Sequence, residues 1–137
     1  MTYDDLKNCA ALAREIKRIE EMEEILRSRI ERLSVPPQEV PASNAHQSDK
    51  LGDGVAVLME LAEQWRDRVE TYAQHVAAVE ACIEGVKDAD QRIIMRMRYV
   101  DGLTWPEISR TRTYHERWCR ELCERGLESA GIRNKAE

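Results

Sequence analysis

The feature that most constrains this chain is a run of apolar residues spaced by strictly alternating steps of four and three. It comprises Leu51, Val55, Leu58, Ala62, Trp65, Val69, Tyr72, Val76, Val79, Ile83 and Val86. A 3.5-residue period on a helix of 3.6 residues per turn drifts slowly. Such a seam is buried only against a partner helix with which it supercoils. The spacing predicts one helix over 51–86, roughly 54 Å long at ~1.5 Å per residue. Residues 3–33 carry a matching stripe of Cys9, Leu12, Ile16, Ile19, Leu26, Ile30 and Leu33, interrupted at Glu23 and widened by Met22 and Ile25. Folding this first helix back as an antiparallel partner is the economical arrangement. Pairing between two chains is the alternative, and it would make the protein a homo-oligomer, with a dimer favoured.

Composition agrees with narrow apolar stripes. Charged residues make up 34% of the 137, mean hydropathy is −0.61 and Phe is absent, so a large globular core is not expected. No apolar run approaches the ~20 residues that span a bilayer, so no membrane association is expected. The acidic, polar start is unlike a secretory signal, which points to the cytoplasm. Cys9, Cys82, Cys119 and Cys123 have no CxxC spacing and read as free thiols.

Between the two long helices, Pro36, Pro37 and Pro41 stand among Ser, Asn, Gln and Ala. Proline removes a donor and clashes with a continuing helix, so residues 34–50 are expected to be a linker. After residue 86 the period changes. Asp88 or Asp90 can cap a helix that buries Ile93, Ile94, Met97 and Val100, and Gly102 stands where a left-handed cap is wanted. Thr104 and Glu107 have capping-box spacing, with Pro106 in the first turn. That short helix should end near Arg110. A break at 111–114 then leads to a longer helix ending near Ser129, stopped by Gly131. Thr113 and Glu116 also have capping-box spacing, which makes Thr113 a candidate cap for it. The chain thus reads as all-α: a long antiparallel helical hairpin (1–33, linker 34–50, 51–86) followed by a three-helix domain over 87–137.

A short capped helix, a tight turn and a longer helix form the helix-turn-helix pattern, whose second helix enters the major groove of duplex DNA. The charge is divided unevenly. Residues 1–87 hold 11 Lys+Arg and 17 Asp+Glu, a balance of −6, whereas residues 88–137 hold 10 and 9, a balance of +1. Strong nonspecific binding to nucleic acid is therefore not expected. Affinity must come from local arrangement.

The run from Arg92 through Arg98-Tyr-Val-Asp-Gly-Leu-Thr-Trp-Pro-Glu-Ile-Ser109 resembles the start of the promoter-reading C-terminal region of bacterial sigma factors. It looks most like the form in phage and prophage proteins related to the ArpU and RinA late-transcription regulators. Tyr114 to Leu127 matches the recognition helix of that family in apolar spacing, and Asp49–Ala56 resembles the segment that opens its second helix. Departures fall in the turn. Arg112 stands where Leu or Met is usual, Thr113 where a small residue is usual, and His115 where Ser or Thr caps the helix.

Carried over position by position, the resemblance places Glu116, Arg117, Arg120 and Glu121 at the exposed start of the recognition helix. Arginine bridges guanine O6 and N7, and glutamate accepts from cytosine N4. Arg110 and Arg112 flank the turn and suit phosphates, and Thr104 with the amides after it suits another. The pairs Glu116 with Arg120 and Arg117 with Glu121 also fit ion pairs on a solvated helix face. The resemblance implies a sequence-specific regulator of transcription that binds double-stranded DNA, with RNA polymerase as a second partner. A protein-interaction module without DNA binding, and a small-terminase-like DNA-packaging component, remain as alternatives. Ile108, Tyr114, Cys119, Leu122, Leu127 and Trp105 read as core.

His115, Cys119 and Cys123 share one helical stripe, but three ligands along a helix would span ~12 Å, too far for one metal ion. No metal or cofactor is expected. Neither a phosphate loop nor a nucleophile elbow is present, and no carboxylate pair sits in an apolar frame, so no catalytic role is expected.

Overall fold

A computed structural model of the chain describes residues 1–34 and 44–133. Among the described residues every element is helical. Helix α1 runs Tyr3–Ser34 and α2 runs Asn44–Glu84. Helix α3, Ala89–Met95, continues into a wider π turn over Arg96–Val100, and α4 (Trp105–Arg112) and α5 (Glu116–Ser129) follow. Ser34 and Asn44–Lys50, expected as linker, are helical, the first as the end of α1 and the others as the start of α2. The last proline of the linker is Pro41, and nothing between it and Leu51 prevents the helix from starting upstream of the seam. The remainder of the expected linker, from Val35 to Ser43, lies outside the described residues.

Two compact units are present. One consists of Ile16–Arg68. In it α1 and α2 run antiparallel: Trp65 Nε1 donates to Glu20 Oε2 at 3.0 Å, and Gly54 sits against Ile30 and Leu26. The seam partner here is therefore α1 of the same chain. Ile19 and Leu61 are buried, although Leu61 lies off the predicted seam. Val55 is exposed, as are Met22 and Ile25, which were expected to widen the stripe. A single partner helix covers only the side chains that face it, and these three stand to its sides.

The other unit joins Met1–Glu15 to Val69–Glu137. One core runs through it. Leu6, Cys9 and Ala10 of α1 and Val79 and Ile83 of α2 meet Val86, Ile94, Met95, Tyr99, Ile108, Cys119, Leu122, Cys123, Leu127 and Ile132. The core thus crosses the sequence boundary at residue 87. Polar bonds follow the same course: Tyr72 donates its hydroxyl to the Val100 carbonyl at 2.6 Å, and Arg96 reaches Glu80 at 2.8 Å and Glu84 at 2.6 Å on α2. Arg92 closes the end of α2 by donating to the Val86 and Lys87 carbonyls. Of the residues expected to line the third helix, Ile94 is fully buried, while Ile93, Met97 and Val100 are half-buried. Met95 and Tyr99 take the interior positions. The π turn accounts for part of this shift. The Asp101 amide donates to the carbonyl of Arg96, five residues back, so the helical period changes in mid-stripe.

Gly102 ends this helix at φ 70°, and the Leu103 amide donates to the Met97 carbonyl at 3.0 Å, one residue further back than in a Schellman motif because the last turn is a π turn. Thr104 then caps α4. Its hydroxyl accepts from the Glu107 amide, and the Glu107 carboxylate accepts from the Thr104 amide at 2.8 Å. Both predicted halves of the capping box are formed. Thr104→Ala removes one of them and is expected to lower the stability of the chain by about 1 kcal/mol. Urea unfolding followed at 222 nm measures the loss.

Candidate nucleic-acid interface

Helix α4 runs to Arg112, two residues beyond the predicted end. The turn into α5 is Thr113–His115, shorter than expected. Thr113 has φ 57° and ψ 35°, left-handed backbone that a threonine rarely adopts. It is the C-cap of α4, not the cap of α5. His115 occupies the N-cap of α5 and makes no side-chain cap bond. Ser109 staples the turn: its carbonyl accepts from the Thr113 and Tyr114 amides, and its hydroxyl donates to the Tyr114 carbonyl.

One face of α5 buries Cys119, Leu122, Cys123, Gly126 and Leu127. Tyr114, expected in the core, is half-buried, and so is Trp105. Burial pushes the Cys123 thiol up to about 11, and the thiol donates to the Tyr99 hydroxyl at 3.5 Å. Cys119 is raised by burial as well. Both thiols stay protonated at neutral pH, while His115, on the same stripe, is exposed.

Arg117 and Glu121 lie on the opposite, exposed side of α5. Arg120 stands at the edge nearest α4, its guanidinium 5.6 Å from the centre of the Trp105 ring and 3.6 Å from Glu116. Glu121 pairs downstream with Arg125 at 3.0 Å, so the expected Arg117–Glu121 pair is not formed. Arg125 in turn lies over Trp118, which is 39% exposed. Arg110 is exposed at the end of α4.

Two predicted phosphate ligands have partners inside the protein. The Thr104 amide and hydroxyl both donate to the Glu107 carboxylate, and the hydroxyl accepts from the Glu107 amide. Arg112 is turned toward α3 and pairs with Asp90 at 3.0 Å. One residue outside the expected DNA-contacting set joins the surface. Arg98 lies over the same ring as Arg120, with its guanidinium 4.5 Å from the Trp105 ring centre and a bond to the Leu103 carbonyl. The tight cap at Gly102 folds Arg98 back over Trp105, and no helical period links these two positions.

The surface therefore offers Arg98, Arg110, Arg117 and Arg120 together with Glu116 and Glu121. It is a mixed set of donors and acceptors rather than a basic patch. Among the described residues, no group of acidic, His or Cys side chains is placed to hold a metal ion, and no helix is long and apolar enough to cross a membrane. Comparison with known protein families, curated proteins and solved structures finds no match.

Proposed function

We propose that the chain is a sequence-specific DNA-binding regulator of transcription, of the sigma-like type carried by phages and prophages, acting in the cytoplasm. The observation that carries the reading is the α4–turn–α5 arrangement. A capped short helix and a three-residue turn present the first turns of α5 with Glu116, Arg117, Arg120 and Glu121 outside the core. Those positions of a recognition helix reach base edges in the major groove. Balanced charge supports readout over bulk attraction, because phosphate-driven binding needs an excess of cations. A single head with so few free cations would bind weakly, which supports a second head in a homodimer or RNA polymerase alongside.

The test is a mobility shift at moderate salt on duplexes selected from a random library. Arg117→Ala/Arg120→Ala is expected to weaken binding to the selected duplex by about 2–4 kcal/mol, the worth of two base contacts. No preference for any duplex, or full binding by the double variant, would sink the reading. The exposed Trp118 beside Arg125 favours a second reading as a protein-docking module, since exposed Trp and Arg are frequent interface anchors. Capture of RNA polymerase without DNA binding would decide for it.

A further inference from the structure

Arg112 links two elements that the turn alone would leave loosely coupled. Its side chain is 27% exposed, and its Nη2 donates to Asp90 Oδ1 at 3.0 Å, in the first turn of α3. Its guanidinium lies 5.3 Å from the centre of the Tyr114 ring. The Tyr114 hydroxyl closes the triangle on Asp90 Oδ2 at 3.4 Å. Arg112 Nε is buried and has no bonding partner. Two of the three members, Arg112 and Tyr114, bracket Thr113, the one non-glycine residue with positive φ among the described residues. A strained residue persists only when its surroundings over-determine it. Here the surroundings are a charged hydrogen bond on one side and a ring on the other, immediately before the N-cap of α5.

We propose that Arg112 is a positioning residue, joined to Asp90 and Tyr114 in a latch that fixes the angle at which α5 meets DNA. The proposal rests on the DNA-binding reading above. It makes a prediction of opposite sign to simple electrostatics. If Arg112 gripped a phosphate, removing Asp90 would free its guanidinium and remove a repulsive charge, so binding would tighten. With Arg112 as part of a latch, removing Asp90 loosens the turn and binding weakens.

The experiment compares Asp90→Asn, Arg112→Met and the double variant, with folding checked by circular dichroism. The probes are a 25-base-pair duplex selected from a random library and a shuffled duplex of equal length. Amide hydrogen exchange at residues 114–117 is read on the free protein. Asp90→Asn is expected to weaken binding to the selected duplex about tenfold, the worth of one base contact, and to leave the shuffled duplex unchanged. Arg112→Met should do the same alone and add nothing in the Asp90→Asn background. Exchange at 114–117 should accelerate in each variant. Tighter binding by Asp90→Asn, with a fresh loss on adding Arg112→Met, would overturn the proposal and assign Arg112 to a phosphate. Should the unmodified chain select no duplex, the DNA reading fails by itself and the latch is judged by exchange. Acceleration in Asp90→Asn then supports it, and unchanged exchange overturns it.

Discussion

Gly102→Ala is expected to destabilise the chain by about 2–4 kcal/mol, and Gly131→Ala by about 1 kcal/mol. Both glycines have positive φ, 70° and 75°. Both substitutions therefore carry the left-handed cost of an L side chain. They differ in the space around them. A Cβ on Gly102 would stand 2.9 Å from the Ala10 carbonyl oxygen, 3.0 Å from Ala13 Cβ and 3.2 Å from Arg14 Cγ, whereas one on Gly131 meets nothing within 4 Å. Backbone oxygen cannot move aside as a flexible side chain can, so α1 or the cap must shift. Urea midpoints of the two variants, compared at equal m-value, isolate the packing part. Equal losses would mean that Gly102 is needed only for its backbone angle.

This pair also shows where the sequence is informative and where it is silent. Local chemistry is legible. The 3.5 period gave the two long helices, Thr104 with Glu107 gave the start of α4, and Gly102 was expected in a left-handed cap. Each signal depends on residues a few positions apart. That Ala10, more than ninety positions away, leans on Gly102 has no signal in one sequence, because a small residue on a helix and a glycine in a turn are both ordinary. The same holds for the shared core. Leu6 and Ala10 lie beside the first stripe, and their burial follows from the elements they meet. The boundary drawn at residue 87 followed a change in period, which marks the end of a helix and not the end of a packing unit.

The candidate interface divides in the same way. The i,i+4 contact of Glu116 with Arg120 follows from helix geometry, and Arg117 and Glu121 were expected on the outer face of α5. Glu121 had two arginines within reach, Arg117 before it and Arg125 after it. The choice of Arg125 accompanies the stacking of that arginine on Trp118, a contact that spacing alone does not rank. Arg112 was placed on DNA because arginines near such a turn suit phosphates. Its partner Asp90 lies 22 positions upstream. Tyr114 was expected in the core, but its hydroxyl needs a polar neighbour and draws it toward Asp90.

The second large effect is expected where α3 meets α5. Met95 is fully buried, and Met95→Ala should lower stability by about 2–5 kcal/mol through the cavity it leaves. Its neighbour is Gly126, in the middle of α5. A Cβ there would collide with Met95 Sδ and lie 3.2 Å from Met95 Cγ and 3.4 Å from Gln91 Cβ. Glycine inside a helix costs about 1 kcal/mol relative to alanine, so a mid-helix Gly calls for a reason. The reason here is the close approach of Met95. Gly126→Ala alone should therefore be destabilising by about 1–2 kcal/mol, because the overpacking outweighs the gain in propensity. In the Met95→Ala background the sign should reverse, with Gly126→Ala stabilising by about 1 kcal/mol, since the obstructing thioether is gone and the propensity gain remains. A double-mutant cycle by urea unfolding reads this directly. Additive losses would show that Gly126 and Met95 are not energetically coupled. A reversal of sign would establish that the thioether, and not helix propensity, keeps a glycine at this position. It would also make the contact of Gly126 with Met95 part of what holds the inner face of α5, the face that buries Cys119 and Leu122 as well, while Arg117 and Glu121 stay exposed on the other side.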